Sequence, residues 1–135
     1  MKNFILPMCL YLSCITFNNN AFNKADLDRA LAGDRNLAGA NLFRAYLKGA
    51  DLSDANLEGA NLAEANLVNA KFFLANLKKA NLSDADLSGA IFDGANLEGA
   101  NLSGAKLTRT DLTRANLTNA NLASIDLNLA FLGRN

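Results

Sequence analysis

The chain has 135 residues, which is room for one compact domain and little beyond it. Thirteen basic and thirteen acidic side chains give a formal charge of zero. This balance argues against a basic nucleic-acid binder and against a strongly acidic mimic of nucleic acid. The sequence has no histidine, which removes the usual acid–base catalyst at neutral pH, the imidazole metal ligand and the nucleophile–histidine pair.

Residues 1–21 are predicted to be a secretory signal peptide that is cleaved near Ala21. Lys2 gives the segment a positive start, and residues 4–17 form a mostly apolar run. That run is shorter than the roughly 20 residues that a bilayer-spanning helix needs, and it has the length of a signal segment. The alternatives are an uncleaved anchor and a buried first helix. Both cysteines of the chain lie within this segment, so the trimmed protein would have no disulfide.

Residues 22–35 are predicted to form a capping helix and a link. The helix itself is expected at about 24–32, because Asn23 suits the N-cap, a hydrophobic residue ahead of it can pack on the helix, and Gly33 suits the position after the helix. It would lie over the start of the repetitive region that follows. The competing interpretation takes 25–27 as one more copy of that repeat.

A five-residue repeat fills the rest of the chain. From Leu37 to Leu132 every fifth residue is Leu or Phe, usually with Ala two residues before it and Asn or Asp between them, as in residues 60–64. An α-helix is excluded, because five residues turn it by about 500° and would send successive leucines to all sides. In an extended chain, Ala and Leu share one side and Asn takes the other. The two variable residues are rich in turn formers. The repeat therefore predicts a solenoid of short straight sides.

Charge spacing favours four sides per coil. Equivalent residues in stacked coils lie about 4.8 Å apart, so facing charges should have opposite signs. At a spacing of twenty, two pairs of like charge run against this expectation, but six pairs of opposite charge agree with it: Glu58–Lys78, Lys78–Glu98, Asp86–Lys106, Lys106–Asp126, Asp51–Lys71 and Arg44–Glu64. A spacing of fifteen gives fewer opposite pairs. Phe72 and Phe92 are also twenty apart and are predicted to stack in adjacent coils.

In its repeat unit the sequence resembles the pentapeptide repeat family, and the resemblance covers about residues 36–133. It implies an all-β solenoid, a right-handed quadrilateral β-helix with four pentapeptides per coil and with the central Leu or Phe and the preceding Ala inward. Twenty units then give about five coils over 36–135. Members with a signal segment and a short N-terminal helix are typical of cyanobacteria. The resemblance therefore implies export to the periplasm or thylakoid lumen.

Two apolar groups are predicted to be contact surfaces. The first is an outward-facing patch for an unknown protein partner, formed by Val68, Phe73, Leu74 and Ile91. The second is the C-terminal coil, where an inward Ala becomes Ile and apolar residues take outward positions: Ile125, Leu129 and Phe131. This end is expected to mediate a homodimer, as it does in some members of the family that the chain resembles. The alternative is that Phe131 folds back over the last coil.

No catalytic, cofactor or metal site is expected. The outward asparagines fall in columns and are predicted to be structural ladders, and the acidic pair Glu64 and Asp84 is predicted to be solvated surface. The sequence thus indicates an exported, non-enzymatic binding or scaffolding protein that binds no nucleic acid and, once trimmed, no membrane. The alternative, drawn from other members of the family, is a cytoplasmic DNA mimic that inhibits or regulates a topoisomerase such as gyrase.

Overall fold

The computed structural model describes residues 22–133, so the predicted signal segment 1–21 lies outside the described residues. Helix α1, Lys24–Leu31, comes first, and a short 3₁₀ helix, Leu127–Leu129, comes near the end. Between them the straight sides meet in parallel β-bridges, each joining a residue to the one twenty positions later. Four pentapeptides therefore make one coil, as the charge spacing predicted.

The outward residue at the centre of each side places the chain on four faces. Each face is named by these central residues, and the corners lie between neighbouring faces. Face 1 holds Asn36, Asn56, Asn76, Asn96 and Asn116, and face 2 holds Asn41, Asn61, Asn81, Asn101 and Asn121. Face 3 holds Tyr46, Asn66, Asp86 and Lys106, and face 4 holds Asp51, Lys71, Ile91, Asp111 and Phe131. Two faces are therefore uniform and two are mixed.

Each corner is a tight turn that needs one residue with positive φ. At the first corner Gly39 has φ +66°, and the N–H of Ala40 donates to the carbonyl of Leu37 at 3.0 Å across it. A positive φ at the third of the four turn residues is characteristic of a type II turn. Non-glycine residues also occupy this position, including Leu74 with φ 55°. The left-handed conformation costs an L-residue roughly 1–2 kcal/mol, which is why Gly is common here.

The axis of the rod is packed with the Leu, Phe and Ala of the repeat. These side chains are buried through the first four coils, except for Ala50 and Ala115, which are half-buried. Each buried Leu contributes about 1.5–3 kcal/mol relative to an exposed one. Phe72 and Phe92 stack with their ring centroids 4.6 Å apart and an interplanar angle of 4°, which confirms the predicted stack. Thr110, which stands where Ala is usual, is also buried, and its hydroxyl donates to the carbonyl of Leu87 at 2.8 Å.

Helix α1 has defined caps at both ends. The side chain of Asn23 accepts from the N–H of Ala25 at 2.9 Å. At the other end the N–H of Gly33 donates to the carbonyl of Ala30, and the next N–H donates to the carbonyl of Arg29, which is the Schellman arrangement. The helix ends one residue before the predicted 24–32, and the competing interpretation of 25–27 as a repeat is wrong because these residues are helical.

In the described residues no coil precedes the first coil of the solenoid. Helix α1 and its link lie there instead and accept hydrogen bonds that a preceding coil would accept. In later coils the N–H of the outward Asn donates to a carbonyl of the preceding coil, as Asn61 does to Ala40 at 2.9 Å. The N–H of Asn41 instead donates to the carboxylate of Asp26 at 2.9 Å. The N–H of Asn36 donates to Asp34 at the same distance. Carboxylate oxygens thus take the place of missing backbone carbonyls.

The attachment of α1 is expected to weaken in acid. The backbone N–H of Asn36, and then the guanidinium of Arg29, lower the pKa of Asp34 below its ordinary value. A carboxyl whose pKa is lowered by folding stabilises the fold above its unfolded pKa of about 3.9, and that contribution disappears as pH falls through the folded pKa. The protection of the α1 amides, measured as their hydrogen exchange relative to the intrinsic rate at the same pH, should therefore fall between pH 5 and pH 3, which lie on either side of the unfolded pKa of about 3.9.

The matched variant is Asp34→Asn, which keeps an oxygen for the N–H of Asn36 but cannot titrate. It should show a smaller change in α1 exchange between the two pH values than the parent protein. An identical change in both proteins would contradict the role of Asp34.

The last coil departs from the regular winding that the repeat predicted. Leu129 falls where other repeats have positive φ, and the chain instead forms the 3₁₀ helix Leu127–Leu129, capped by Asp126 through the N–H of Asn128 at 3.0 Å. Face 3 accordingly has no bridge beyond Lys106 in the described part of the chain. In the middle of the rod, the coils on both sides stabilise a Leu with positive φ. Residues 22–133 contain no further coil that could stabilise this conformation at Leu129.

Candidate functional site

The outer wall carries the chemistry that the described residues can offer, since the axis is filled with apolar side chains. In residues 22–133 no three His, Cys, Asp or Glu side chains are grouped so that they could hold a metal ion. No helix in the same stretch combines the length and the apolar character that crossing a membrane requires. Glu64 and Asp84 are exposed, as predicted. The available groups are therefore amides, ion pairs and apolar side chains on a convex surface.

The outward Asn or Asp completes the backbone hydrogen bonds of its corner. In residues 56–60, four backbone N–H groups donate to backbone carbonyls of the same corner or of neighbouring coils. The fifth, from Glu58, donates to Oδ1 of Asn56 at 3.1 Å. Likewise the N–H of Lys78 donates to Asn76 at 3.2 Å. Asn and Asp recur at this position because either can accept such a bond two residues on.

Faces 1 and 2 add hydrogen bonds between coils. Nδ2 of Asn76 donates to Oδ1 of Asn56 at 3.2 Å, and Nδ2 of Asn96 donates to Asn76 at 3.4 Å. The same ladder runs along face 2 over positions 61–121. A carboxylate could accept the corner bond but could not donate along the ladder. The predicted structural role of the Asn columns is confirmed, and it explains why these two faces hold Asn throughout.

Replacing Asn76 by Asp is expected to destabilise the fold by about 1–3 kcal/mol at pH 7. The carboxylate would lose the donor to Asn56 and would place a charge near Glu58, whose Oε2 lies 3.5 Å from Nδ2 of Asn76. The loss relative to the parent protein should shrink below about pH 4, because a protonated carboxyl can donate again. Urea denaturation of the parent protein and of Asn76→Asp, at pH 7 and below about pH 4, measures this loss of stability.

The control is Asn56→Asp, one coil earlier in the same column. Asn56 accepts hydrogen bonds from the N–H of Glu58 and from Asn76, and a carboxylate can still accept both. Its cost should therefore be clearly smaller than that of Asn76→Asp. Equal losses in the two variants would mean that donation along the ladder contributes nothing to stability.

Opposite charges face each other across coils, though only some of the predicted pairs form ion pairs. The short contacts at a spacing of twenty are Arg44–Glu64 at 2.7 Å, Lys78–Glu98 at 3.1 Å and Lys106–Asp86 at 4.0 Å. Arg114 instead reaches Asp93 with two hydrogen bonds, of 2.8 and 2.5 Å. The Arg114 guanidinium holds the pKa of Asp93 below its ordinary value. Within residues 22–133 the wall therefore carries both signs of charge intermixed, and some of these charges are paired.

The four residues of the predicted contact patch lie around face 4. Phe73 and Leu74 form its corner with face 1 and are 41% and 53% exposed. Ile91 lies at the centre of the face in the next coil and is also exposed. Val68 lies at the opposite corner and is half-buried. The structure thus brings three of the four residues to the surface around one face and leaves Val68 as a partly covered edge.

The C-terminal end also exposes apolar side chains. Leu129 is 50% exposed and Phe131 is 59% exposed, while Ile125 is half-buried against the core. Phe131 does not fold back over the last coil. It pairs with Asp111 in the register of face 4, and its N–H donates to the carbonyl of Thr110 at 2.8 Å. Leu132, which the repeat places on the axis, is exposed as well.

Pentapeptide repeats, in eight copies, match the chain over residues 40–78, 70–109 and 95–134. The chain belongs to the pentapeptide repeat family. Members of this family fold as the right-handed quadrilateral β-helix that the resemblance implied. Pentapeptide repeat proteins are generally structural or binding proteins rather than enzymes. No curated protein matches the chain.

Solved pentapeptide repeat structures include relatives from cyanobacteria and a plant. Rfr23 from the cyanobacterium Cyanothece 51142 is 40% identical, with 66% of this chain and 65% of that chain covered and a TM-score of 0.47. A pentapeptide repeat protein of the Arabidopsis thaliana thylakoid lumen is 27% identical, with 71% and 60% covered and a TM-score of 0.46. The chain spans less than two thirds of the length of either. A pentapeptide repeat protein from Nostoc Pcc 7120 is 33% identical, with 87% and 92% covered and a TM-score of 0.42.

Proposed function

We propose that this pentapeptide repeat protein is an exported, non-enzymatic scaffold that binds a protein partner at the edge of face 4. The observation that carries the proposal is the exposure of Phe73 and Leu74 beside Ile91. Asn ladders occupy the central outward positions of faces 1 and 2. An exposed apolar group of this size is therefore unusual on the outer surface. A cluster of exposed apolar residues is the kind of surface that a protein partner covers.

The conformation of Leu74 supports a role outside the fold. Leu is poorly suited to positive φ, yet Leu74 adopts φ 55°, where Gly would fit without strain. Its side chain lies over Gly94, since its Cδ2 atom would be 2.7 Å from a Cβ built there. A large apolar side chain is thus kept at a strained and exposed position where stability alone favours Gly.

The test is chemical crosslinking in the compartment where the protein resides, with the double variant Phe73→Ser and Leu74→Gly. The second change removes strain, so the variant is expected to fold as well as the parent protein while losing its crosslinked partner. Tyr46→Ser, which alters an exposed aromatic residue on face 3, is the control and should keep the partner. Retention of the same partner by the folded double variant would refute the proposed surface.

The proposed compartment is the periplasm or the thylakoid lumen. The proposal rests on the composition of residues 1–21 and gains support from the relative in the Arabidopsis thaliana thylakoid lumen. Cell fractionation followed by sequencing of the mature N-terminus tests it. A trimmed N-terminus near position 22 in an exported fraction is the expected result, and a full-length cytoplasmic protein would contradict it.

We further propose that the protein forms a homodimer through its C-terminal coil, and this proposal is independent of the partner. It is supported by the exposure of Leu129 and Phe131 beside the half-buried Ile125. Light scattering after size exclusion should give twice the monomer mass, and Leu129→Ser with Phe131→Ser should give the monomer mass. A monomeric parent protein at high concentration would refute the dimer.

The charge arrangement opposes the alternative function, imitation of duplex DNA to control a topoisomerase in the cytoplasm. Such a mimic needs rows of unpaired negative charge, whereas acidic residues here face basic ones, as in Arg44–Glu64 and Lys78–Glu98. The formal charge of zero points the same way. We therefore propose that nucleic acid is not among its partners. We also propose that the protein binds no membrane once the signal segment is cleaved.

A further inference from the structure

An open groove of about 460 Å³ runs along the corner between faces 3 and 4. Its lining comes from three successive coils: Val68, Asn69, Ser88, Gly89, Thr108 and Arg109. Gly89, which has no side chain, lies between Asn69 and Arg109 in this lining. The amide of Asn69 lies across this glycine, since its Oδ1 atom would be 2.2 Å from a Cβ built at position 89.

The corner that forms this groove has no acidic residue, unlike the other three corners. Its two columns of variable residues carry Lys48, Val68, Ser88 and Thr108, and Gly49, Asn69, Gly89 and Arg109. The other corners carry Glu58 and Glu98, Glu64 and Asp84, and Asp54 and Asp93. None of the ion pairs formed within residues 22–133 includes Arg109. A guanidinium without a carboxylate partner therefore borders the groove.

The same corner has a backbone donor without its usual acceptor. One coil earlier, Asp86 accepts from the N–H of Ser88 at 3.1 Å. Lys106 occupies the place of Asp86 in the next coil, and its side chain has no oxygen to offer to the N–H of Thr108. This N–H belongs to the residue that carries the Thr108 hydroxyl, and Arg109 follows it in the chain; both residues line the groove. A missing oxygen thus coincides with a cluster of donors and a cation.

We propose that this groove binds an oxyanion of the phosphate type, free or as a phosphomonoester. One oxygen would take the place of the missing side-chain acceptor on the N–H of Thr108, and the guanidinium of Arg109 would pair with two others, as guanidinium groups do with phosphates. The hydroxyl of Thr108 completes the donors. The groove is larger than a bare ion, so it has room for a small organic group on the oxyanion. Such a site adds a ligand to the scaffold and does not depend on its protein partner.

Titration of the ¹⁵N-labelled protein with inorganic phosphate, and separately with glycerol 3-phosphate, at constant ionic strength tests the site. Saturable shifts are expected at the amides of Gly89, Thr108 and Arg109. Arg109→Gln should weaken binding about tenfold or more, the loss expected for a charge-assisted bond. Arg44→Gln, which removes an arginine paired with Glu64 at another corner, is the control and should leave the affinity unchanged. Tighter binding of glycerol 3-phosphate would identify the phosphomonoester as the form that is bound.

A pair of variants at Lys106 isolates the backbone donor. Lys106→Asn would supply the oxygen that the N–H of Thr108 lacks, and it should weaken phosphate binding several-fold more than Lys106→Met, which removes the same charge and supplies no oxygen. Equal affinities in these two variants would overturn the role of the Thr108 N–H. Shifts that do not saturate with either probe, or that persist unchanged in Arg109→Gln, would overturn the site itself.

Discussion

The variant Phe72→Ala is expected to lose about 3–5 kcal/mol of the free energy of unfolding, which is a large part of what a domain of this size has. Phe72 is fully buried and stacks on Phe92 at 4.6 Å in the next coil. Truncation therefore removes the ring's own burial, removes the stacking contact and leaves a cavity on the axis that neighbouring coils cannot fill without losing register. Urea denaturation followed by circular dichroism measures the loss.

Two matched variants bracket this result. Phe72→Leu restores the usual residue of the repeat and fills most of the volume, so it should cost only about 1 kcal/mol for the lost aromatic contact. Phe73→Ala removes the adjacent ring, which lies on the surface, and should change stability by less than about 0.5 kcal/mol. A loss in Phe73→Ala as large as that in Phe72→Ala would contradict the assignment of inward and outward positions.

Deleting residues 61–80 is expected to give a shorter folded rod, whereas deleting residues 61–78 should abolish cooperative folding. The first deletion removes one coil of twenty residues, so every remaining residue keeps its face, and the residues that paired with the deleted coil meet the equivalent residues of the next coil. The second removes nearly the same apolar surface but shifts the downstream repeat by two positions. Inward and outward residues would then be misaligned, and the coils could not stack.

In a solenoid, stability is approximately a sum over units and their nearest-neighbour contacts, so the loss of one whole unit is tolerable. The shifted deletion should lose more than about 5 kcal/mol, which is the scale of the total stability of a small domain. Thermal unfolding monitored by circular dichroism distinguishes the two deletions. A cooperative transition of similar midpoint in both would show that the twenty-residue coil is not the structural unit.

Almost all of the regular architecture could be predicted, because spacings within the repeat indicate the local backbone conformation and spacings between repeats indicate which residues meet in neighbouring coils. The spacing of the inward residues excludes a helix, and the spacing of charges and of Phe72 and Phe92 indicates the length of a coil. The helix before the solenoid could be predicted for a local reason, since Asn23 and Gly33 fix its ends through hydrogen bonds to nearby backbone groups.

The candidate sites could be predicted only in part, because exposure depends on what the neighbouring coil places beside a residue. The patch around Phe73 and Leu74 follows from the alternation of the repeat, yet Val68 is half-buried. The groove at Arg109 was not predicted. Its signal was present in the sequence, as columns of corner residues without an acid, but it becomes a site only once Lys106 is seen to lack the oxygen that its neighbours provide to the backbone.

The sequence by itself determined the winding of this protein: the period of five, the coil of twenty, the residues on the axis and the helix at the start. It could do so because these features repeat, and each copy makes the same contacts. The tertiary structure alone decided the departures from the repeat. Examples are the 3₁₀ helix Leu127–Leu129, the outward Leu132, and the ion pair of Arg114 with Asp93, which do not occupy equivalent positions in stacked coils. Each departure depends on which atoms a neighbouring coil offers, or on the absence of such a coil within residues 22–133, and no pattern along the chain records that.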